Sequence, residues 1–473
     1  MHNLRNWVLR TIAGESHRGL FGVAILAVSL FTAGSSFAQM LPQTDVETNT
    51  LGQLTNYNIN GATDESTNAF FLPLGTNGRT CATCHQPAQA FGLSTTAINA
   101  LYQSSNGTDP LFNPVDGANC IDSTSSSLLL NYGLIRIILP VSPTTITGAV
   151  PQWTISRITD PNNCQLSNPA FQAQCQALYG PSAQCVSVYR RPLPTMNLNS
   201  ESTIMWDGRE PLPEQVGLNA SLTQQAQDAI TMHEQGGTAT SAELAQMVAF
   251  ETGEFTTQTY DNSAQSLTAL GGTESPQNLS ALPFHYDEND NRGQQFNENS
   301  MTLFSAWSGI NGSDPVSLAR ESIQRGEVVF NTVLFNVGAP NGKKASCSFC
   351  HNDPNVGNNS NSGPNMITRI GTDNPSNPIL NPGKYLPTFF ITCNATGVQT
   401  VTTDPGIALI DGTCDNIQKV KIPSLHGLAG RAPYFRNGSA KDLETVVKFY
   451  NGRFKIGMTT QQTKDLANFL GTL

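Results

Sequence analysis

Histidine is scarce in this chain. Seven are present among 473 residues, and none lies between His85 and His233. Charge is thin as well: charged residues make up 13% of the total, with 25 Lys and Arg against 35 Asp and Glu. The resulting formal charge of −10 argues against a nucleic-acid surface and leaves two readings, solubility alone or docking to a partner with a basic face. Long apolar runs are nearly absent. The one that stands out, Leu20 to Ala33, is shorter than the roughly 20 residues that span a bilayer. It follows Arg5, Arg10 and Arg18 and precedes small residues ending at Ala38, the order expected of a secretory signal over residues 1–38, with a membrane anchor as the alternative. Cleavage after Ala38 would remove three Arg and one Glu, leaving 22 basic residues against 34 acidic ones. An exported, periplasmic protein without a stable membrane span is expected.

Cysteine, by contrast, is plentiful. Four of the ten fall in two Cys-x-x-Cys-His motifs, Cys81-Ala82-Thr83-Cys84-His85 and Cys347-Ser348-Phe349-Cys350-His351. In such a motif the two thiols add to the haem vinyl groups and the adjacent histidine reaches the iron, so the porphyrin dictates order and spacing. A zinc or redox Cys-x-x-Cys is the alternative, but both copies carry the immediate histidine and both sit in a chain read as exported. The expected cofactors are two covalently bound c-type haems, with His85 and His351 as proximal iron ligands. The remaining Cys120, Cys164, Cys175, Cys185, Cys393 and Cys414 are even in number, which in an oxidising compartment suggests three disulfides. Proximity in sequence favours Cys393 with Cys414.

Residues 39 to about 75 are polar and weakly patterned and read as a lead-in to the first haem. From about Gly92 to Cys185 turn formers dominate, with one strand-like run at Leu134 to Leu139, so this part is expected to be a disulfide-stapled insertion. Gln, Ala, Glu, Leu and Met make the Glu214 to Glu251 stretch helical, while 253–300 is again loop-like and acidic. Val316 to Phe330 is a helix candidate with Leu318, Ile323 and Val328 among charges. Ser439 before Asp442 and Thr459 before Gln462 carry capping-box spacing, each ahead of an apolar periodic segment. Two short helices closing over a cofactor suit a small cytochrome domain. The expected fold is therefore mainly α: an N-terminal haem c domain over 39–300, holding the 92–185 insertion, and a C-terminal haem c domain over 301–473.

What sits opposite each iron decides the chemistry, because an open sixth position can bind peroxide whereas a doubly ligated iron mainly passes electrons. With His2 and His17 in the leader and His85 and His351 proximal, only His233, His285 and His426 remain. The first haem thus has no second imidazole nearby in sequence. Met196, Met205 and Met232 are the methionines that could approach it, Met205 being the strongest rival. His233, with Glu234 beside it, is the candidate for moving a peroxide proton; the plainer alternative is a surface histidine on a polar helix.

The stretch Met205-Trp206-Asp207-Gly208-Arg209, followed by Leu212 and Glu214-Gln215, resembles the tryptophan motif of bacterial di-haem cytochrome c peroxidases and their MauG-type relatives. Ile422-Pro423-Ser424-Leu425 and Ala432-Pro433-Tyr434-Phe435-Arg436-Asn437-Gly438-Ser439 are similar to that family's second-domain signature. The resemblance implies hydrogen peroxide or another small oxidant as substrate, and a small cytochrome or cupredoxin as electron donor. It implies a peroxide-facing haem at His85, an electron-entry haem at His351, and Trp206 between them; an ordinary buried tryptophan is the alternative. It also implies Tyr450 as outer ligand of the second haem, with Met458 as rival and core packing as the plain reading. Three departures stand out. The family's outer histidine on the first haem is missing, and Arg436 replaces a histidine of the second signature. Pro192 and Lys421 stand where calcium ligands would be expected, and neither offers a side-chain oxygen, so the sequence does not support bound calcium. MauG-like or oxygenase-like oxidation of a protein or organic substrate, and plain electron transfer, are the competing functions.

If both motifs are loaded, a pyridine haemochrome assay will give two haems per polypeptide. Replacing Cys81 and Cys84 together will halve that count, and one haem or a zinc ion in the parent would refute the assignment.

Overall fold

Thr44 to Asn58 holds few apolar residues, yet it forms strands. In the computed structural model, which describes residues 40–282, 301–337, 342, 344–352, 356 and 367–473, Thr44–Thr48 and Gly52–Asn58 pair antiparallel. Glu254–Asp261 and Gln265–Ser266 complete a four-stranded sheet. Beside Leu54 and Phe255, its buried positions are largely amides and hydroxyls that bond one another. Thr256 Oγ1 donates to Asn56 at 2.7 Å, Asn58 Nδ2 to Glu254 at 3.0 Å, and Asn197 Nδ2 to the Thr256 carbonyl at 3.0 Å. Buried polar groups are tolerated when bonded in this way, and their presence erases the apolar alternation that marks a strand. The lead-in and part of the supposed 253–300 loop are therefore one sheet.

The expectation of a mainly α fold is corrected accordingly: of the described residues 37% are helical and 17% strand, spread over several small sheets. The described residues belong to one compact unit. Residues 1–38, expected to be a leader, His285, and the 283–300 stretch before the expected domain boundary lie outside the described residues. Among those described, no helix is long and apolar enough to cross a membrane.

The 92–185 insertion is stapled by Cys120–Cys164 and Cys175–Cys185, and Cys393–Cys414 is the third disulfide. It is more regular than its turn formers suggested, because Ser94 and Asn168 cap the helices Thr95–Ser105 and Pro169–Tyr179. The strand-like run is the strand Ile135–Pro140, buried along its length and paired with Cys185–Arg190. A second strand, Trp153–Thr159, pairs with Thr388–Cys393, which pairs in turn with Gln399–Thr402. Leu93, Ile98, Ile137, Val188, Phe389, Ile391 and Ile410 share the core beneath these strands. The insertion is thus welded to the second half of the chain.

The helical stretch divides into Pro213–Val216, Leu218–Met232 and Ser241–Gly253, the last opened by a Thr240–Glu243 capping box. Pro315–Thr332 begins at Asp314, whose carboxylate accepts from the Val316 and Ser317 amides. Of its three apolar residues singled out above, only Ile323 is core; Leu318 and Val328 are 51% and 45% exposed. Steps of five residues turn about 140° around a helix, so the three cannot share a face. The C-terminal helices are Leu443–Phe454 and Thr460–Leu470. Thr459 and Gln462 form the expected box, whereas Asp442, not Ser439, caps the first, accepting from the Thr445 amide at 2.8 Å. Ser439 instead donates to Asn437 at 2.7 Å.

The Pro315–Thr332 and Thr460–Leu470 helices cross at Gly326, where a Cβ would meet the Asp465 carbonyl at 2.1 Å and Phe469 Cβ at 2.6 Å. Gly326→Ala is expected to cost about 1–3 kcal/mol through overpacking. Leu318→Ala, on the exposed face of the same helix, should stay within about 0.5 kcal/mol. Urea midpoints of the two variants check both.

Candidate functional site

Each Cys-x-x-Cys-His motif folds as one tight turn. Thr80 caps Cys81–Cys84 and forms a reciprocal box with Thr83, which places the two thiols three residues apart on one side of the turn. Cys347–Phe349 makes the corresponding turn of the second motif. None of Cys81, Cys84, Cys347 and Cys350 is in a disulfide. Burial pushes the Cys84 and Cys347 thiols up to about 12, the opposite of what a reactive dithiol needs.

The two histidines are held alike. His85 Nδ1 lies 3.0 Å from the Phe91 carbonyl oxygen, and His351 Nδ1 lies 3.1 Å from that of Val356. A carbonyl only accepts, so Nδ1 carries the hydrogen and Nε2 keeps its lone pair. Burial pushes both imidazoles down to about 4, so each is neutral at ordinary pH. Two thiols followed by a neutral, oriented imidazole are the donor set that covalent haem attachment requires, and the residues present fit that group.

Each motif opens into its own cavity. The first, about 1180 Å³ including its mouth, is lined by Cys81, Cys84 and His85; the second, about 1590 Å³, by Cys347, Cys350 and His351. Arg191, Pro192, Trp206 and Lys421 border both cavities and form the partition between them. Trp206 is pinned within it: Nε1 donates to the Arg191 carbonyl at 2.8 Å, and its own carbonyl accepts from the Lys421 amide at 2.9 Å. The Lys421 ammonium bonds Glu201 at 2.6 Å and the Thr203 carbonyl at 2.8 Å.

Positive charge surrounds this partition. The guanidinium groups of Arg191 and Arg431 donate to backbone carbonyls, those of Tyr132, Leu93 and Arg431 for the former and of Ser424 and His426 for the latter. Desolvation pushes them down to about 9 and about 10. Buried cations bonded to carbonyls suit a ligand that carries its own carboxylates, as haem does through its propionates.

The helix Leu218–Met232 turns one face to the first cavity, with Leu222, Gln225, Ala226 and Ala229 at helical spacing and His233 at its end. Small Ala226 and Ala229 leave room there. His233 is no solitary surface residue: its Nδ1 lies 2.5 Å from Asp116 of the insertion. Glu234 also borders the cavity but is tied to the attachment segment, accepting from the Leu74 amide at 3.1 Å with Cys81 Sγ at 3.8 Å. Met205 lines the first cavity, whereas His426 lines neither and lies with Nδ1 3.4 Å from Glu274. Tyr450 and Met458 both line the second cavity, and Tyr450 also packs against Phe435, Phe449 and Phe454. Arg436 lines that cavity while bonding Asp404 at 3.1 Å and Thr372 at 3.2 Å.

Sequence reasoning missed Arg79, Asp116, Gln225 and Glu251. Ala226 and Ala229, spaced along a Gln-rich helix, were the one available sign of a wall; Asp116 sits in a loop and left none. No family model matches the chain, and no curated protein does. Among solved structures it is similar to a MauG-like protein associated with microbial copper homeostasis and to hydrazine synthase of Kuenenia stuttgartiensis. Both are 14% identical over 60% of this chain and 73% of the other, with TM-scores of 0.32 and 0.29. At that level of likeness the functional reading rests on the residues themselves.

Glu251, 4% exposed on the wall of the first cavity, has its carboxyl pushed from 4.5 up to about 8 by burial. Between those values the folded state holds a proton that the unfolded state has released, so stability falls as pH rises through that window. Glu251→Gln should narrow the difference in urea midpoint between about pH 5 and pH 9 without erasing it, since Glu254 is likewise raised to about 8.

Proposed function

We propose that the chain is an exported di-haem c-type cytochrome of peroxidase type. It reduces hydrogen peroxide at the first site, with electrons passed from the second site through Trp206. The observation that carries this reading is the shared partition: one tryptophan borders both cavities, and each cavity ends in a Cys-x-x-Cys-His turn. Bound at these turns, haem would supply the one-electron and peroxide chemistry. The chain's own residues do the rest. His85 and His351 present Nε2 to a metal because Nδ1 is committed to a carbonyl. Arg191 and Lys421 hold Trp206 in the partition. His233 moves the proton that must leave the inner oxygen of a peroxide, while Glu234, raised to about 7 chiefly by burial, can hold one beside Cys81. Tyr450 and Met458 line the second cavity, and either would be placed to help hold a haem there. The acidic chain suits an electron donor with a basic face, such as a small cytochrome or cupredoxin.

Plain electron transfer is the second reading, favoured by one observation: Met205 lines the first cavity and could complete a His–Met pair. The two separate on the ferric protein. The peroxidase reading expects one high-spin and one low-spin haem, the former converted by peroxide without prior reduction; an entirely low-spin, inert protein is a carrier. Trp206→Phe is then expected to keep both haems and to slow peroxide turnover on the order of tenfold, as about 1.4 kcal/mol on the barrier would. Stopped-flow turnover with a reduced donor checks this, and unchanged rates would reduce Trp206 to packing.

A further inference from the structure

The insertion contributes one carboxylate to the surroundings of the first cavity. Asp116 is 4% exposed and meets two partners. Arg79, close before Cys81, bonds one carboxylate oxygen, and His233 Nδ1 lies 2.5 Å from the other. The remaining Arg79 donors go to the carbonyls of Pro110 at 2.7 Å, Leu111 at 2.8 Å, Asn113 at 3.3 Å and His233 at 3.4 Å. The guanidinium therefore clamps the 110–116 loop of the insertion against the first motif. Burial opposes ionisation of Asp116, but Arg79 and His233 outweigh it and hold the carboxyl below its ordinary range. An ionised carboxylate only accepts, so Nδ1 of His233 carries the hydrogen and the lone pair of the neutral ring lies on Nε2. His233 and His85 both border the first cavity.

We propose that Asp116 is a positioning residue for His233: it fixes the ring in the Nδ1–H tautomer, so that Nε2 acts as the base for a small protic ligand entering the first cavity. The inference rests on the haem reading of the first motif. In the step a proton leaves the ligand, hydrogen peroxide or hydrogen cyanide, for Nε2; Nδ1–H stays on Asp116, and no electron moves. Loss of the carboxylate leaves the ring free to adopt the other tautomer, in which Nε2 carries a hydrogen and cannot accept one. The insertion, which the family resemblance does not cover, thereby becomes part of the first site.

The test uses full-length haem-loaded protein and cyanide as probe, reading the association rate at the ferric first haem. Asp116→Asn, His233→Leu and the double variant are compared with the parent, with haem content measured in each. Either single substitution is expected to slow cyanide association on the order of a hundredfold, the usual scale of acid–base assistance. The double variant should be no slower than His233→Leu alone, because both remove the same device. Slow association in His233→Leu with a parental rate in Asp116→Asn would show that Asp116 only braces Arg79, and the proposal fails. Parental rates in both, or faster association in His233→Leu because the ring had ligated the iron, overturn it as well. Absence of haem at Cys81 and Cys84 would instead refute the functional reading beneath it. Asp116→Asn also leaves Arg79 buried without its counter-charge, a loss that can prevent folding. Arg79→Gln combined with Asp116→Asn removes both charges together and is expected to show the same slow association; a parental rate there overturns the proposal.

Discussion

A buried carboxylate must be paired, and Asp207 is wholly buried. Its position beside Trp206 makes that pairing the constraint on which the partition between the cavities depends. Arg190 Nη1 reaches Asp207 at 2.5 Å, and the same guanidinium holds Asp404 through Nε at 2.8 Å and Nη2 at 2.9 Å. Arg436 joins Asp404 from the second-domain signature, and Arg209 joins Asp207 at 3.2 Å. Removing one member of such a buried group typically costs about 3–5 kcal/mol, because a charge is left without a partner. The network therefore draws Arg190 at the end of the Cys185–Arg190 strand, the tryptophan segment and two C-terminal segments to one point. Trp206 has little freedom once Asp207 is committed.

Around that point the molecule treats its two motifs in the same way and its two cavities differently. Both histidines spend Nδ1 on a carbonyl and keep Nε2, so both are prepared as neutral ligands. Among the described residues, the second cavity is lined by many aromatic and aliphatic side chains together with the cations Arg191, Lys421, Arg431 and Arg436, but by no carboxylate. The first is bordered by His233, Glu234, Glu251, Arg79 and Gln225. Protons can be held and moved in the first far more readily than in the second. This asymmetry is the one the proposed function uses.

The insertion and the polar sheet explain how a chain with so many Thr, Asn and Gln residues still builds a framework. In the sheet, amides and hydroxyls bond across strands in place of apolar contacts. In the insertion, two disulfides and a strand shared with Thr388–Cys393 stand in for a core that turn-rich sequence could not supply alone. The framework in turn brings Ile135, Ile137 and Arg190 to the first cavity.

Local chemistry was legible without any structure. The two Cys-x-x-Cys-His motifs, each a fixed order of thiols and imidazole, stood out in the sequence; Thr459 with Gln462 announced a helix start, and the even remainder of cysteines announced disulfides. These signals span a few residues and need no partner from elsewhere. The sheet at Gly52–Asn58 was illegible because its buried side chains other than Leu54 are polar and bond to strands some two hundred residues away. The Ser439 cap failed because two neighbouring residues offer equivalent oxygens and only packing chooses between them. Asp116 and His233, 117 positions apart, meet directly, with buried Arg79 on the other carboxylate oxygen, a contact no local pattern predicts. Residues that act through a covalent rule could be read from the chain itself, whereas those that act by meeting across space were decided by the fold, since only burial and charge pairing determine which of many distant polar groups come together.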